Sequence, residues 1–227
     1  MEAGRGVVHG GNVPPELLDT GQTVEGFQIW INLPRSLKMI PPRYQEIAAN
    51  TLPVVEVPHP QGDAFPKSSV KVIAGSYGGA NAVIETRVQI SFFDVRLQPG
   101  ASVTLDVPRG QVGLVYTYRG ECVVGEKRAV MPEGVFGTLA DGDTLTITAA
   151  DNAPLVSIPA PHRDVRAGSE EAAVGVLVVF GEPIDEPIAR NGPFVMNTEE
   201  EIRQAFADFH SGKMGRESRI KFDSGGQ

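Results

Sequence analysis

Cysteine is almost missing. Cys122 is the one thiol in 227 residues, which excludes a disulfide framework and a zinc cage built from several cysteines. Histidine is scarce too: the four are His9, His59, His162 and His210, widely spaced, so a centre of clustered imidazoles has little material. Basic residues are in deficit, 20 against 28 acidic, for a net charge of -8. That argues against the basic face a nucleic-acid backbone requires. Long apolar runs are lacking. The longest, around residues 172–180, is too short to span a bilayer. The first eleven residues lack the apolar core of a secretory leader, and the chain has no Asn-x-Ser/Thr sequon. The expected location is intracellular, in cytoplasm or nucleus. Hydrophobic residues at 41% and charged residues at 21% are ordinary globular proportions and exclude wholesale disorder.

Turn formers are plentiful, with 26 Gly and 18 Pro, and they divide the chain into short segments that favour strands over helices. Phe27, Ile29, Ile31 and Leu33 alternate with Gln28, Trp30 and Asn32, the period of a strand. Pro41 and Pro42 suit the first turn of a short helix over residues 44–49. Beyond residue 54 the pattern is strand after strand. Val88, Ile90 and Phe92 line one face, and Phe93, Val95 and Leu97 continue on the other. That change of face predicts a bulge near Phe92–Phe93. Residues 112–118 and 122–124 read as strands joined by an Arg119-Gly120 turn. The continuous apolar run 174–180 reads as a strand buried on both faces. Strands at this spacing predict an all-β chain with a few short helices, arranged as a sandwich or barrel. Residues 149–173 break the rhythm and read as a long surface loop.

Thr198-Glu199-Glu200-Glu201 is a capping box opening a helix. Ile202, Ala205, Phe206 and Phe209 form its apolar stripe, and Gly212 suits its end. Residues 213–227 read as a basic, loosely held tail.

Five segments, in order, carry a family resemblance: Ala3-Gly4-Arg5-Gly6-Val7-Val8-His9; Glu25-Gly26-Phe27-Gln28-Ile29-Trp30-Ile31-Asn32-Leu33-Pro34; Lys38-Met39-Ile40-Pro41-Pro42-Arg43-Tyr44-Gln45; Gly181-Glu182-Pro183-Ile184 with Glu186-Pro187-Ile188; and Gly192-Pro193-Phe194-Val195-Met196-Asn197-Thr198. Together the chain resembles the pirin family. The resemblance implies a bicupin, two double-stranded β-helix barrels face to face. It divides the chain into a remnant of the N-terminal cupin with a junction helix (1–53), a C-terminal cupin barrel (54–190) and a C-terminal helix and tail (191–227). It implies one metal, Fe(II), in the first barrel, held by two His of a His-Pro-His motif and by a His and a Glu two residues apart. It further implies quercetin-type dioxygenase activity on a flavonol-type small molecule. A protein partner in a regulatory complex, of the transcription co-regulator type, is the alternative role.

This chain departs from that pattern. It contains no His-Pro-His, and Gly11 stands where the glutamate ligand is expected. His9 is therefore the single remnant ligand the resemblance assigns. Its competing reading is a strand-end histidine that binds nothing, which these residues alone favour. The expectation is a first barrel lacking its front half, metal-poor and inactive in this chain. Open sheet edges and exposed apolar surface are expected around Val7, Val8, Phe27 and Ile29.

The remaining chemistry is sparse. Cys122 reads as a buried structural thiol, His59 and His162 as solvated loop residues, and His210 as a cation at a helix C-terminus. Residues 75–79, Gly-Ser-Tyr-Gly-Gly, lead into a strand rather than a helix and read as a turn. Trp30, Arg43 and Tyr44 read as inter-domain packing residues, with surface contacts between the barrels as the alternative.

Overall fold

The structure is a computed structural model that describes residues 1–10, 26–139, 141–159 and 169–216. It divides into two compact units, residues 1–46 with 184–227, and residues 47–183.

The first unit opens with β1 (Val7–Val8) and a single-turn helix, α1 (Arg35–Lys38). Residues 27–33, patterned as a strand, lie in no described ladder. Alternation is a property of one segment, whereas a strand needs a neighbour to take its backbone N–H and C=O groups. Helix over 44–49 does not form either. A 3₁₀ turn, Ala49–Thr51, stands at the end of that stretch. The Arg43 N–H donates to the Glu2 carbonyl, and the Glu2 N–H to the Arg43 carbonyl. Those are groups a helix would use, and Pro41 and Pro42 bring no N–H of their own.

The second unit is a barrel-like antiparallel sheet. Its strands are β2 (Val54–Val57), β3 (Ser68–Ala74), the small β4 (Ser76–Tyr77) and β5 (Ala80–Asn81) pair, β6 (Ile90–Leu97), β7 (Ser102–Asp106), β8 (Val112–Val124), β9 (Ala129–Pro132), β10 (Phe136–Thr138), β11 (Thr144–Ala149), β12 (Val156–Pro159), β13 (Ser169–Ala172) and β14 (Val174–Gly181). The main path runs β2-β3-β6-β14-β8-β11-β7, with β9 and β10 also on β8. β8 is one long strand with no reversal at Arg119-Gly120. Its first part pairs with β14 and β10, and its last residues with β9 and β11. Gly120, at φ +70°, lies at the changeover and bends the strand without ending it. The expected bulge is present opposite Phe92 and Phe93, but the extra residue, between Val72 and Ala74, belongs to the neighbouring β3. Within 149–173, β12 and β13 pair antiparallel, so that stretch is not all loop.

Val70, Phe93, Val95, Leu97, Leu105, Val115, Ile147, Val174, Val176 and Val178 fill the barrel. Every residue of β14 is buried, as its unbroken apolar run predicts. Cys122 lies in this core at 1% exposure, and burial raises its thiol pKa, the opposite of an activated thiolate. His59 is not solvated: it is buried, donates from Nε2 to the Pro99 carbonyl at 2.8 Å and accepts the Gln61 N–H at Nδ1. Polar loop neighbours concealed that burial in the sequence.

The first unit closes with β15 (Ala189–Asn191), β16 (Phe194–Met196), α2 (Glu199–His210) and β17 (Gly215–Arg216). β15 and β16 form an antiparallel hairpin. Phe194 meets Phe206 and Phe209 of α2 edge-on, at 4.9 and 6.4 Å. The capping box forms with both reciprocal bonds, and Gly212 at φ +73° follows Ser211, the cap. Gly215–Arg216 pairs in parallel with β1, so the start of the tail is held. The rest of the tail from residue 217, and His162, lie outside the described residues.

Candidate functional site

Apart from Gly181-Glu182-Pro183, the signature segments lie in the first unit, and most of what they do there is structural. Gly4 has φ +49°, and a Cβ on it would collide with the Ile40 carbonyl oxygen. The neighbouring Arg5 N–H donates to that same oxygen at 2.9 Å. Gly6, at φ +110°, lies against Met214. Arg43 reinforces the backbone bridge to Glu2 with an Nε–Oε2 ion pair of 3.0 Å. The first and third segments are thereby locked together.

The second, third, fourth and fifth segments share a polar cluster. Lys38 is 5% exposed and donates through Nζ to Asn32 Oδ1 at 2.6 Å and to the Val195 carbonyl at 3.3 Å. Burial lowers its pKa, and Glu186 and Glu201 pull it partly back. Glu186 Oε2 accepts the Arg35 N–H at 2.7 Å and the Asn197 side-chain amide at 3.0 Å. Glu201 Oε1 pairs with Arg35 at 2.6 Å, while its Oε2 accepts the Asn197 and Thr198 backbone N–H groups. Asn197 Oδ1 is the one buried side-chain polar atom without a protein partner among the described residues. Trp30 lies under the Arg190 guanidinium, 5.0 Å from its ring centroid. This cluster clamps 32–38 to 186–201.

The Arg35 hydrogen bond is the largest cause lowering the Glu201 pKa, and the Lys213 bond does the same for Asp208. A carboxylate whose pKa falls on folding contributes stability that is full above its unfolded value and is lost as the pH drops. The first unit is therefore expected to loosen as the pH falls through and below 4.5, the ordinary glutamate value. Trp30, the chain's one tryptophan, reports it by fluorescence. Glu201→Gln should flatten the slope, and an unchanged acid midpoint in that variant would remove the clamp from the explanation.

His9 follows β1 and is exposed. No group of three or more His, Cys, Asp or Glu side chains with metal-binding geometry occurs among the described residues. The donors present therefore do not fit the iron site implied by the resemblance: one solvated imidazole, with glycine at the carboxylate position, is not a chelating set. The barrel of the second unit offers no substitute, because its interior is packed with apolar side chains.

Sequence reading missed a second polar group, in the barrel wall. Asp94 and Arg96 alternate with the core residues Phe93, Val95 and Leu97 and so lie on the other face of β6. Tyr118 Oη donates to Asp94 Oδ1 at 2.7 Å, and Arg96 pairs with Asp94 Oδ2 at 3.1 Å. Burial, with the adjacent Asp94 charge, pushes the Tyr118 phenol far above its usual range. Gly175 makes room for that ring, since a Cβ there would overlap it.

An antiparallel barrel of this topology, filled with aliphatic side chains, places the second unit among the cupins. The pattern of the Pirin C-terminal cupin domain matches residues 92–215. A Pseudomonas aeruginosa protein named "Putative quercetin 2,3-dioxygenase" is 35% identical over 216 residues, 95% of this chain and 66% of its own. Human Pirin is 32% identical over 220 residues, 96% of this chain and 64% of its own. The crystal structure of an Acinetobacter baumannii quercetin 2,3-dioxygenase superposes with a TM-score of 0.64 at 32% identity, covering 82% of this chain and 55% of that one. The chain belongs to the pirin family. It spans 66% and 64% of the length of the two relatives named.

Proposed function

We propose that these 227 residues act as a binding protein, engaging a protein partner in a regulatory complex of cytoplasm or nucleus, and do not on their own open a flavonol ring. The donor set carries this reading: His9 is the single imidazole at a motif position, Gly11 takes the place of the carboxylate, and no clustered ligands occur among the described residues. Membership of the pirin family, for which the resemblance implies a co-regulator role, supports the partner reading.

The relatives that carry the dioxygenase name support a second reading, for a longer assembly. There His9, exposed after β1, supplies one imidazole to a site whose other ligands lie outside this chain, with iron as metal and a flavonol as substrate.

The test is anaerobic Fe(II) loading of the 227-residue chain, then oxygen uptake with quercetin. The expected result is no retained equivalent of iron and no uptake above buffer. One tightly held equivalent with turnover would overturn the binding-protein reading.

A further inference from the structure

The chain has seven asparagines, and Asn191 is the one that precedes a glycine. It ends β15 and is exposed. Gly192 and Pro193 then turn the chain into β16, with Asn191 opposite Phe194. A two-residue hairpin turn needs a positive φ, and Gly192 supplies one of +55°. With no Cβ, glycine also leaves its amide nitrogen uncrowded. Neither the Asn191 side-chain amide nor the Gly192 N–H bonds to another described residue. Other asparagines are held: Asn197 gives its amide to Glu186 and the Pro187 carbonyl, and Asn32 accepts Lys38. An unengaged carboxamide thus stands one residue before an unengaged, unhindered backbone nitrogen, the proximity that ring closure requires.

We propose that Asn191 is a modification site, deamidating spontaneously through a succinimide, and that the isoaspartyl product opens the β15–β16 hairpin. The Gly192 nitrogen attacks Asn191 Cγ. The N–Cγ bond forms, the Cγ–Nδ2 bond breaks, and the side-chain nitrogen leaves as ammonia with the proton that Gly192 gives up. Water then opens the ring, with no change of oxidation state. Opening at Cγ leaves aspartate. Opening at the main-chain carbonyl leaves isoaspartate, whose backbone runs through Cβ and Cγ and is one atom longer. Turn length fixes hairpin register, so the added atom unsettles the pairing of 189–191 with 194–196. Three anchors hang on that pairing: Phe194 against α2, the Val195 carbonyl that accepts Lys38, and Arg190 over Trp30.

The experiment ages the whole 227-residue chain at physiological temperature and mildly alkaline pH. Isoaspartate is counted by enzymatic methylation with an isoaspartyl methyltransferase and placed by peptide mass. The peptide containing residue 191 should gain the mass difference between amide and acid, and take up one heavy oxygen in heavy-oxygen water. Its rate should rise with pH, because the attacking nitrogen must lose its proton. Aged protein should show altered Trp30 emission and faster amide exchange in β15 and β16, with β14 unchanged. Asn191→Gln keeps the amide but sets it one methylene too far for the five-membered ring, and should abolish both changes. Freshly made Asn191→Asp carries the new charge on a normal backbone and should keep its hairpin protection. Isoaspartate found at Asp141-Gly142 alone, undiminished formation in Asn191→Gln, or reaction at residue 191 only in denaturant would overturn the site. Loss of protection in Asn191→Asp equal to that of the aged chain would overturn the role of the lengthened backbone.

Discussion

Replacing Asp94 with alanine is expected to destabilise the barrel by about 3–5 kcal/mol, the usual result of removing one partner from a buried charge pair. Asp94 and Arg96 keep only 9% and 10% of their side chains exposed. Both Arg96 Nε and Nη2 reach Asp94 Oδ2, at 3.2 and 3.1 Å, and the Tyr118 hydroxyl takes the other oxygen. Alanine removes all three bonds and strips a buried guanidinium of this counter-charge, in a setting that resupplies little water. Tyr118→Phe removes one neutral donor and should cost about 1–2 kcal/mol. Asp94→Asn keeps the shape and an acceptor but loses the charge, and should fall between. Calorimetric or far-ultraviolet unfolding of the three variants gives the ranking. A loss below about 1 kcal/mol for the alanine variant, the level of an exposed ion pair, would mean that water reaches this wall.

That trio was invisible in the sequence for a physical reason. A polar residue alternating with apolar ones reads as solvent-facing, because period two reports two faces and not what covers the second. Tyr118 and Asp94 are 24 residues apart, and neither carries a local signal of the other. Signals written locally transferred well. The capping box at Thr198 forms as spelled, the run 174–180 is buried throughout, and the change of face at Phe92–Phe93 marks a real bulge, although the inserted residue is on the partner strand. Failures came where a neighbour decides the outcome. Residues 27–33 have the pattern of a strand without a described ladder. The backbone of Arg43 bonds to Glu2 instead of entering a helix. Arg119-Gly120, read as a turn, is a bend within β8. For the candidate site, the residue types at positions 9 and 11 were legible at once, since a missing carboxylate needs no fold to be seen. The structural task of the signature glycines was not legible, because it depends on Ile40 and Met214, which meet them only after folding.

Gly120→Ala should be comparably severe, and it separates backbone strain from steric contact. At φ +70° an L-residue carries about 1–2 kcal/mol of left-handed strain. A Cβ would also overlap the Ala173 carbonyl oxygen, and that oxygen belongs to the backbone and has no rotamer by which to withdraw. Gly120 pairs with Val174 of β14, and its N–H donates to Glu133 Oε2 at 3.1 Å. Relief of the overlap must therefore spread the seam between β8 and the wholly buried β14. Together these terms are expected to exceed about 3 kcal/mol, or about 10 °C in Tm for a chain of this size. Gly125 is the matched control: its φ is +68°, nearly the same, but an added Cβ meets nothing within 4 Å. Gly125→Ala should cost the strain alone, about 1–2 kcal/mol. The difference between the two variants measures the Ala173 contact. Equal losses would show that the seam opens without resistance, in which case the bend at Gly120 is a matter of backbone preference and not of close packing between β8 and β14.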